Sequence, residues 1–197
     1  MIDSTLRRHY QSSLINPLLK LRLTQKLSPL MCTLLALVSG VMTLPLLAMG
    51  WGFLAFVALL LSGFFDTLDG SIARHKDLTS DRGAALDICF DRIVEASVII
   101  GLFLVNPAGR GLLCLLMLAT TLLCISSFLV VGIFETNRSE KSFHYSVGLM
   151  ERTEAFLLFA LMILIPSLFV PLSALYSLLV LATALIRLTQ FATQSTR

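Results

Sequence analysis

The chain has 197 residues, 56% hydrophobic and 14% charged, with a mean hydropathy of +0.87 and a formal net charge of +3. A soluble domain carries about 25% charged residues, so this composition excludes an ordinary water-soluble fold and points to an all-α integral membrane protein. The small positive surplus follows the ends of the apolar runs and not a basic face, which excludes nucleic acid as a partner.

In chain order, residues 1–28 form a juxtamembrane segment ahead of a membrane domain spanning 29–197. Leu6, Tyr10, Leu14, Leu18 and Leu21 recur at three or four residues with basic residues between them. That pattern predicts an amphipathic helix over 3–26, lying in the headgroup region of an anionic leaflet or packed on the protein. The segment lacks an apolar core followed by small residues, so no cleavable signal is expected.

Six apolar stretches follow, each near the 20 or so residues that cross a bilayer. They run from Pro29 to about Met49, Trp51 to Ala73, Ala84 to Val105, Gly111 to Phe134, Glu151 to Val170 and Pro171 to Phe191. Short connections with turn formers lie at Gly50, at Asn106–Arg110 and at Pro166–Pro171. Lys and Arg set the topology. The N-terminal segment, the stretch with Arg74, Lys76 and Arg82, the stretch with Arg138 and Lys141, and Arg152, Arg187 and Arg197 all fall on one side. Only Arg110 falls on the other. Both termini and the basic loops are therefore expected in the cytoplasm, in a multi-pass protein of the bacterial inner membrane. Cys32, Cys89, Cys114 and Cys124 sit in apolar surroundings without a C-x-x-C pair and read as small buried hydrophobes.

Six of the chain's seven aspartates lie between Asp66 and Asp91. Asp66, Asp69, Gly70 and Ala73 fall at i, i+3, i+4 and i+7, one face of a helix. Gly83, Asp87 and Asp91 fall at i, i+4 and i+8, again one face. A polar loop of about nine residues, carrying Asp77 and Asp81, joins the two, so the helices are expected to be antiparallel with converging acidic faces. Four converging carboxylates at a membrane edge repel one another and are costly to desolvate, so a cation must offset them. Oxygen-only ligands select Mg²⁺, Mn²⁺ or Ca²⁺ over zinc, and two divalent ions on shared carboxylates form a clamp for phosphoryl chemistry. Gly70, Ala73 and Gly83 leave room beside them, and Arg74 offers a fork for a phosphate.

The full pattern, D-x2-D-G-x2-A-R-x8-G-x3-D-x3-D, is matched at every position by Asp66, Asp69, Gly70, Ala73, Arg74, Gly83, Asp87 and Asp91. It resembles the signature of the CDP-alcohol phosphotransferase family (class I CDP-alcohol phosphatidyltransferases), membrane enzymes of phospholipid head-group synthesis. The resemblance covers nearly the whole chain and implies six transmembrane helices after an N-terminal interfacial helix. It implies a homodimer that takes a CDP-linked lipid, most often CDP-diacylglycerol, and a small alcohol, and releases CMP. It further implies two Mg²⁺ or Mn²⁺ ions on Asp66, Asp69 and Asp87 with Asp91 near the second. Gly70, Ala73, Arg74 and Gly83 line the CDP pocket with Asp66 and Asp69, and Asp91 is the general base.

Several details are similar to bacterial phosphatidylinositol-phosphate synthases: Glu95 continuing the acidic stripe, "GLMERTEAF" at Gly148–Phe156, and Arg152 and Arg187 at positions that hold the acceptor's phosphate there. Snorkelling and topology also account for either arginine alone. There are departures. Ser126–Phe134 has no basic residue late in the fourth span, Ser80-Asp81-Arg82-Gly83 replaces Thr-Arg-x-Gly, and Pro29-Leu30 replaces Pro-Asn. The acceptor therefore stays open among inositol phosphate, inositol and glycerol 3-phosphate. The polar stretch Glu135–Ser146 reads as a cap on the acceptor pocket or a solvated loop. A cation or proton transporter is the competing class, since intramembrane carboxylates also mark ion paths. Against it, no relay continues past Glu95 into "ASVIIGLFLV", and no motif residue is missing to suggest an inactive scaffold.

Overall fold

The computed structural model describes residues 28–135, 149–150 and 152–195. The amphipathic helix expected over 3–26 and most of the polar stretch 135–146 lie outside them. The described residues are helical throughout their ordered elements and divide after Pro107 into two compact units.

The first unit holds α1 (Pro29–Ala48), α2 (Gly52–His75) and α3 (Asp81–Val105). Ser28 caps α1, its hydroxyl accepting the Met31 amide at 3.2 Å, and Pro29 supplies a preset φ in the first turn. Gly50, at φ +78°, makes the turn into α2 that a side chain would strain. α1 packs on both α2 and α3. The close approach is made at glycines. A Cβ on Gly40 would overlap Val94 of α3 and lie 2.8 Å from the Ser62 hydroxyl of α2. A Cβ on Gly101 of α3 would lie 2.8 Å from Leu47 Cδ1 and 3.1 Å from the Leu44 backbone of α1. Ser62 also donates across to the Ala36 carbonyl at 2.8 Å, the kind of interhelical hydrogen bond that joins helices where lipid tails supply no hydrophobic drive.

The second unit holds α4 (Pro107–Glu135), α5 (Arg152–Leu164), a 3₁₀ turn at Pro166–Leu168 and α6 (Phe169–Ser195). Its core is built round Tyr176 of α6, 1% exposed, which lies 5.1 Å from the Phe159 ring of α5 and shares a 2.9 Å hydrogen bond with Thr121 of α4. Arg110, on the side opposite the other basic residues in sequence, is buried over the Phe169 ring at 4.3 Å.

Helices occupy all six expected places, with shifted ends. α3 begins at Asp81 because Ser80 caps it, its hydroxyl accepting the Gly83 amide at 3.1 Å. The connection from α2 therefore shrinks to residues 76–80. Asp81 moves from the expected loop into the first helical turn, where its charge meets the positive end of the helix dipole. Asp77 stays in the loop at φ +52°. Pro107 opens α4, where its missing N–H costs nothing, and Pro171 sits in the first turn of α6 for the same reason. Among the described residues, four segments are long and apolar enough to cross a membrane: Pro29–Ala48, Gly52–His75, Pro107–Phe134 and Pro166–Thr193. α3 has the length, but Asp81, Arg82, Asp87, Asp91, Arg92 and Glu95 load its first half with charge. α5 has 13 residues. The cysteines are free as expected, yet Cys89 is exposed and is not a core residue.

Replacing Gly40 by leucine forces α1 away from α2 and α3. Overpacking costs roughly 1–3 kcal/mol, so the melting temperature in detergent should fall by roughly 3–10 °C, with Gly40→Ala intermediate. An unchanged melting temperature for Gly40→Leu contradicts the close approach.

Candidate metal and nucleotide site

The site is built from the last three turns of α2 and the first three of α3, both held by α1. Asp66 and Asp69 project from α2, and Asp87 from α3. Each of these three carboxylates offers an oxygen within 4.8 Å of the others. Asp69 is 6% exposed, while Asp66 and Asp87 are half-buried. Two like charges at that spacing repel by roughly 3 kcal/mol even at an effective dielectric of about 20. A hard divalent cation converts that repulsion into attraction. The donor set is all oxygen and suits Mg²⁺, Mn²⁺ or Ca²⁺, so the residues present fit a divalent ion.

Asp69 is oriented from a helix that the motif does not include. The Thr33 hydroxyl of α1 and the Gly70 backbone amide lie beside its carboxylate. Thr33 stands on the buried side of the first turn of α1, where its hydroxyl also reaches the Pro29 carbonyl at 3.0 Å. Sequence reasoning missed it because a threonine at the start of an apolar span has no periodic or charge signal. Beneath Asp69, Leu68 and Ile72 pack with Cys32 in a dry cluster flanked by Phe64 and Phe65, which holds this end of α2 on α1.

The remaining motif residues are distributed as follows. Asp91 lies one turn past Asp87 on α3, half-buried and outside the three-carboxylate group. Gly83 is exposed one turn before Asp87, and Ala73 is half-buried one turn past Asp69. The open face of Gly70 is where the Arg74 guanidinium rests: a Cβ there would meet Arg74 Nη1 at 3.3 Å, while Nη2 donates to Ser71 Oγ at 3.4 Å. Gly70 and Arg74 thus act as a pair, the glycine admitting the guanidinium back over the end of α2. Glu95, one turn past Asp91, is 3% exposed and ion-paired with Arg92 at 2.7 Å. It continues the acidic stripe while its charge is compensated on its own helix.

Arg152 and Arg187 belong to the second unit. Arg152 stacks over Phe156 at 5.3 Å. Arg187 donates to the Cys124 carbonyl at 3.1 Å and to Ser127 Oγ at 3.3 Å, and lies over the Phe128 ring at 5.2 Å.

A family profile described as CDP-alcohol phosphatidyltransferase matches residues 26–191. The chain is 38% identical over 144 residues, 70% of its length and 69% of the relative's, to inner membrane protein YnjF of Escherichia coli (strain K12). It is 28% identical over 154 residues, 78% of its length and 69% of the relative's, to the phosphatidylinositol phosphate synthase of Mycobacteroides abscessus. Its fold is similar to the crystal structure of Mycobacterium tuberculosis phosphatidylinositol phosphate synthase with CDP-DAG bound, with a TM-score of 0.68 at 22% identity over 91% of this chain and 92% of that one.

Titration of the purified protein with Mn²⁺, followed by electron paramagnetic resonance, tests the three-carboxylate site. Asp69→Asn should weaken Mn²⁺ binding more than about 10-fold, and Thr33→Val by a smaller factor, since it removes only a polar group beside the ligand. Wild-type affinity in Asp69→Asn would place the ion elsewhere.

Proposed function

The chain belongs to the CDP-alcohol phosphatidyltransferase family, and from that premise we propose that it transfers a phosphatidyl group from CDP-diacylglycerol to the hydroxyl of a small polyol phosphate, releasing CMP. The observation that carries this reading is the convergence of Asp66, Asp69 and Asp87 from two helices. The donor follows from the relatives: one is named a phosphatidylinositol phosphate synthase, and the structural neighbour is titled with CDP-DAG bound. The enzymatic family takes the place of the transporter reading.

In this proposal Asp66, Asp69 and Asp87 hold one divalent ion, and Asp91 with neighbouring carboxylates approaches a second. When bound, the ions neutralise the pyrophosphate and stabilise the departing CMP. Gly70, Ala73 and Gly83 admit the cytidine close to the two helix backbones. Arg74 swings its guanidinium from over Gly70 to a phosphate oxygen. Asp91 takes the proton of the acceptor hydroxyl as its oxygen bonds to the lipid-bearing phosphorus. The bond from that phosphorus to the bridging oxygen breaks, and CMP leaves with the electron pair.

Arg152 and Arg187 bind the acceptor's phosphate. Arg187 suits this because α4 fixes its guanidinium by a carbonyl and a hydroxyl, which presets the fork that a phosphate would meet. The relatives' names favour inositol phosphate. Glycerol 3-phosphate is the second reading, favoured by the absence of any basic residue in Ser126–Phe134. The chain crosses the bacterial inner membrane six times, with α3 and α5 joining the four more apolar segments, and the aspartates face the cytoplasm. Residues 1–28 lie along the interface, and the protein works as a homodimer.

Purified protein with Mg²⁺ or Mn²⁺, CDP-diacylglycerol and a panel of inositol phosphate, glycerol 3-phosphate, inositol and glycerol should release CMP with a phosphorylated acceptor. No CMP with any of them, and no binding of the CDP-lipid, overturns the proposal. Asp91→Asn should lower kcat by at least about 100-fold with CDP-lipid affinity retained. Near wild-type turnover would remove Asp91 as the base.

A further inference from the structure

Thr183 lies in the middle of α6, 1% exposed. Its hydroxyl donates to the Leu179 carbonyl at 2.8 Å, one turn back along its own helix. A threonine hydroxyl has one hydrogen and two lone pairs, so with the hydrogen engaged it is left as an acceptor. The Met150 amide fills that role at 3.0 Å. Met150 stands two residues ahead of Arg152, where α5 begins. Amides at a helix start have no partner within the helix, and in an apolar surrounding they need one from elsewhere. Thr183 supplies it, and so ties the entry of α5 to α6.

Four residues on, and on the same face of α6, is Arg187. Its guanidinium is held by the Cys124 carbonyl and Ser127 of α4. One stripe of α6 therefore secures the start of α5 at one turn and anchors an arginine to α4 at the next, about 6 Å along the axis. Arg152 is carried by the helix start that Thr183 clamps. From this geometry we infer that Thr183 is a positioning residue of the acceptor pocket, fixing the start of α5, and with it Arg152, relative to Arg187 so that both arginines meet one phosphate of the acceptor. The inference rests on the proposal that these two arginines bind that phosphate.

The test uses the whole enzyme, CDP-diacylglycerol and whichever phosphorylated acceptor releases CMP. Thr183→Val keeps the branched shape and removes the acceptor atom. It should raise KM for the phosphorylated acceptor about 3- to 10-fold, with kcat and CDP-lipid affinity within about 2-fold of wild type. Thr183→Ser, which retains the hydroxyl, should restore KM. On an Arg152→Ala background Thr183→Val should add nothing further to KM, because the group it positions is gone. A loss shared equally by both substrates, an additive effect with Arg152→Ala, or an unchanged acceptor KM overturns the inference. If Thr183→Val does not fold, Thr183→Cys is judged by the same criteria. Should Arg152→Ala and Arg187→Ala leave acceptor KM unchanged, the phosphate reading itself falls; should they raise it while Thr183→Val does not, only the role of Thr183 falls.

Discussion

Three carboxylates within 4.8 Å of one another, two of them on a helix that is otherwise mostly apolar, are the feature on which the first unit depends. Asp69 is nearly inaccessible, and a carboxylate there is tolerated only with hydrogen bonds and a compensating cation. The Thr33 hydroxyl and the Gly70 amide are the polar groups beside it. A divalent ion fits the remaining need, and the same ion is what a pyrophosphate substrate would meet. The arrangement that is costly for folding is thus the one that gives the site its chemistry.

α1 makes this arrangement possible. It contributes no aspartate, yet α2 and α3 are both registered against it. Gly40 lets Val94 and Ser62 approach its backbone, and Gly101 lets α3 approach Leu44 and Leu47 two turns away. Thr33, Cys32 and the cluster with Leu68 and Ile72 do the same at the site's end. A bundle joined through small residues and side-chain hydrogen bonds is rigid where lipid offers no hydrophobic pressure. In the second unit the corresponding contacts are longer side chains: Tyr176 with Thr121 and Phe159, Thr183 with Met150, and Arg187 with Cys124 and Ser127.

The grouping of three carboxylates was legible in sequence because it is carried by charge and by helical spacing. Asp66 and Asp69, and Asp87 and Asp91, fall on single faces, and carboxylates in apolar runs stand out. Helix ends were less legible where a cap outweighed composition: Ser80 drew Asp81, Arg82 and Gly83 into α3, and Pro107 opened α4 where a turn was expected. Gly70 illustrates a different limit. Its small size was legible, but the guanidinium resting on it follows from the rotamer of Arg74, four residues away. Thr33 and Thr183 were invisible, since each acts through one hydroxyl on a partner distant in sequence.

The central claim is that Asp66, Asp69 and Asp87 together hold a divalent cation. Anomalous diffraction from crystals grown with Mn²⁺ tests it most directly. An anomalous peak is expected between these three side chains and should be lost in Asp69→Asn. A peak elsewhere in the protein, with none between the three aspartates at saturating Mn²⁺, would contradict it.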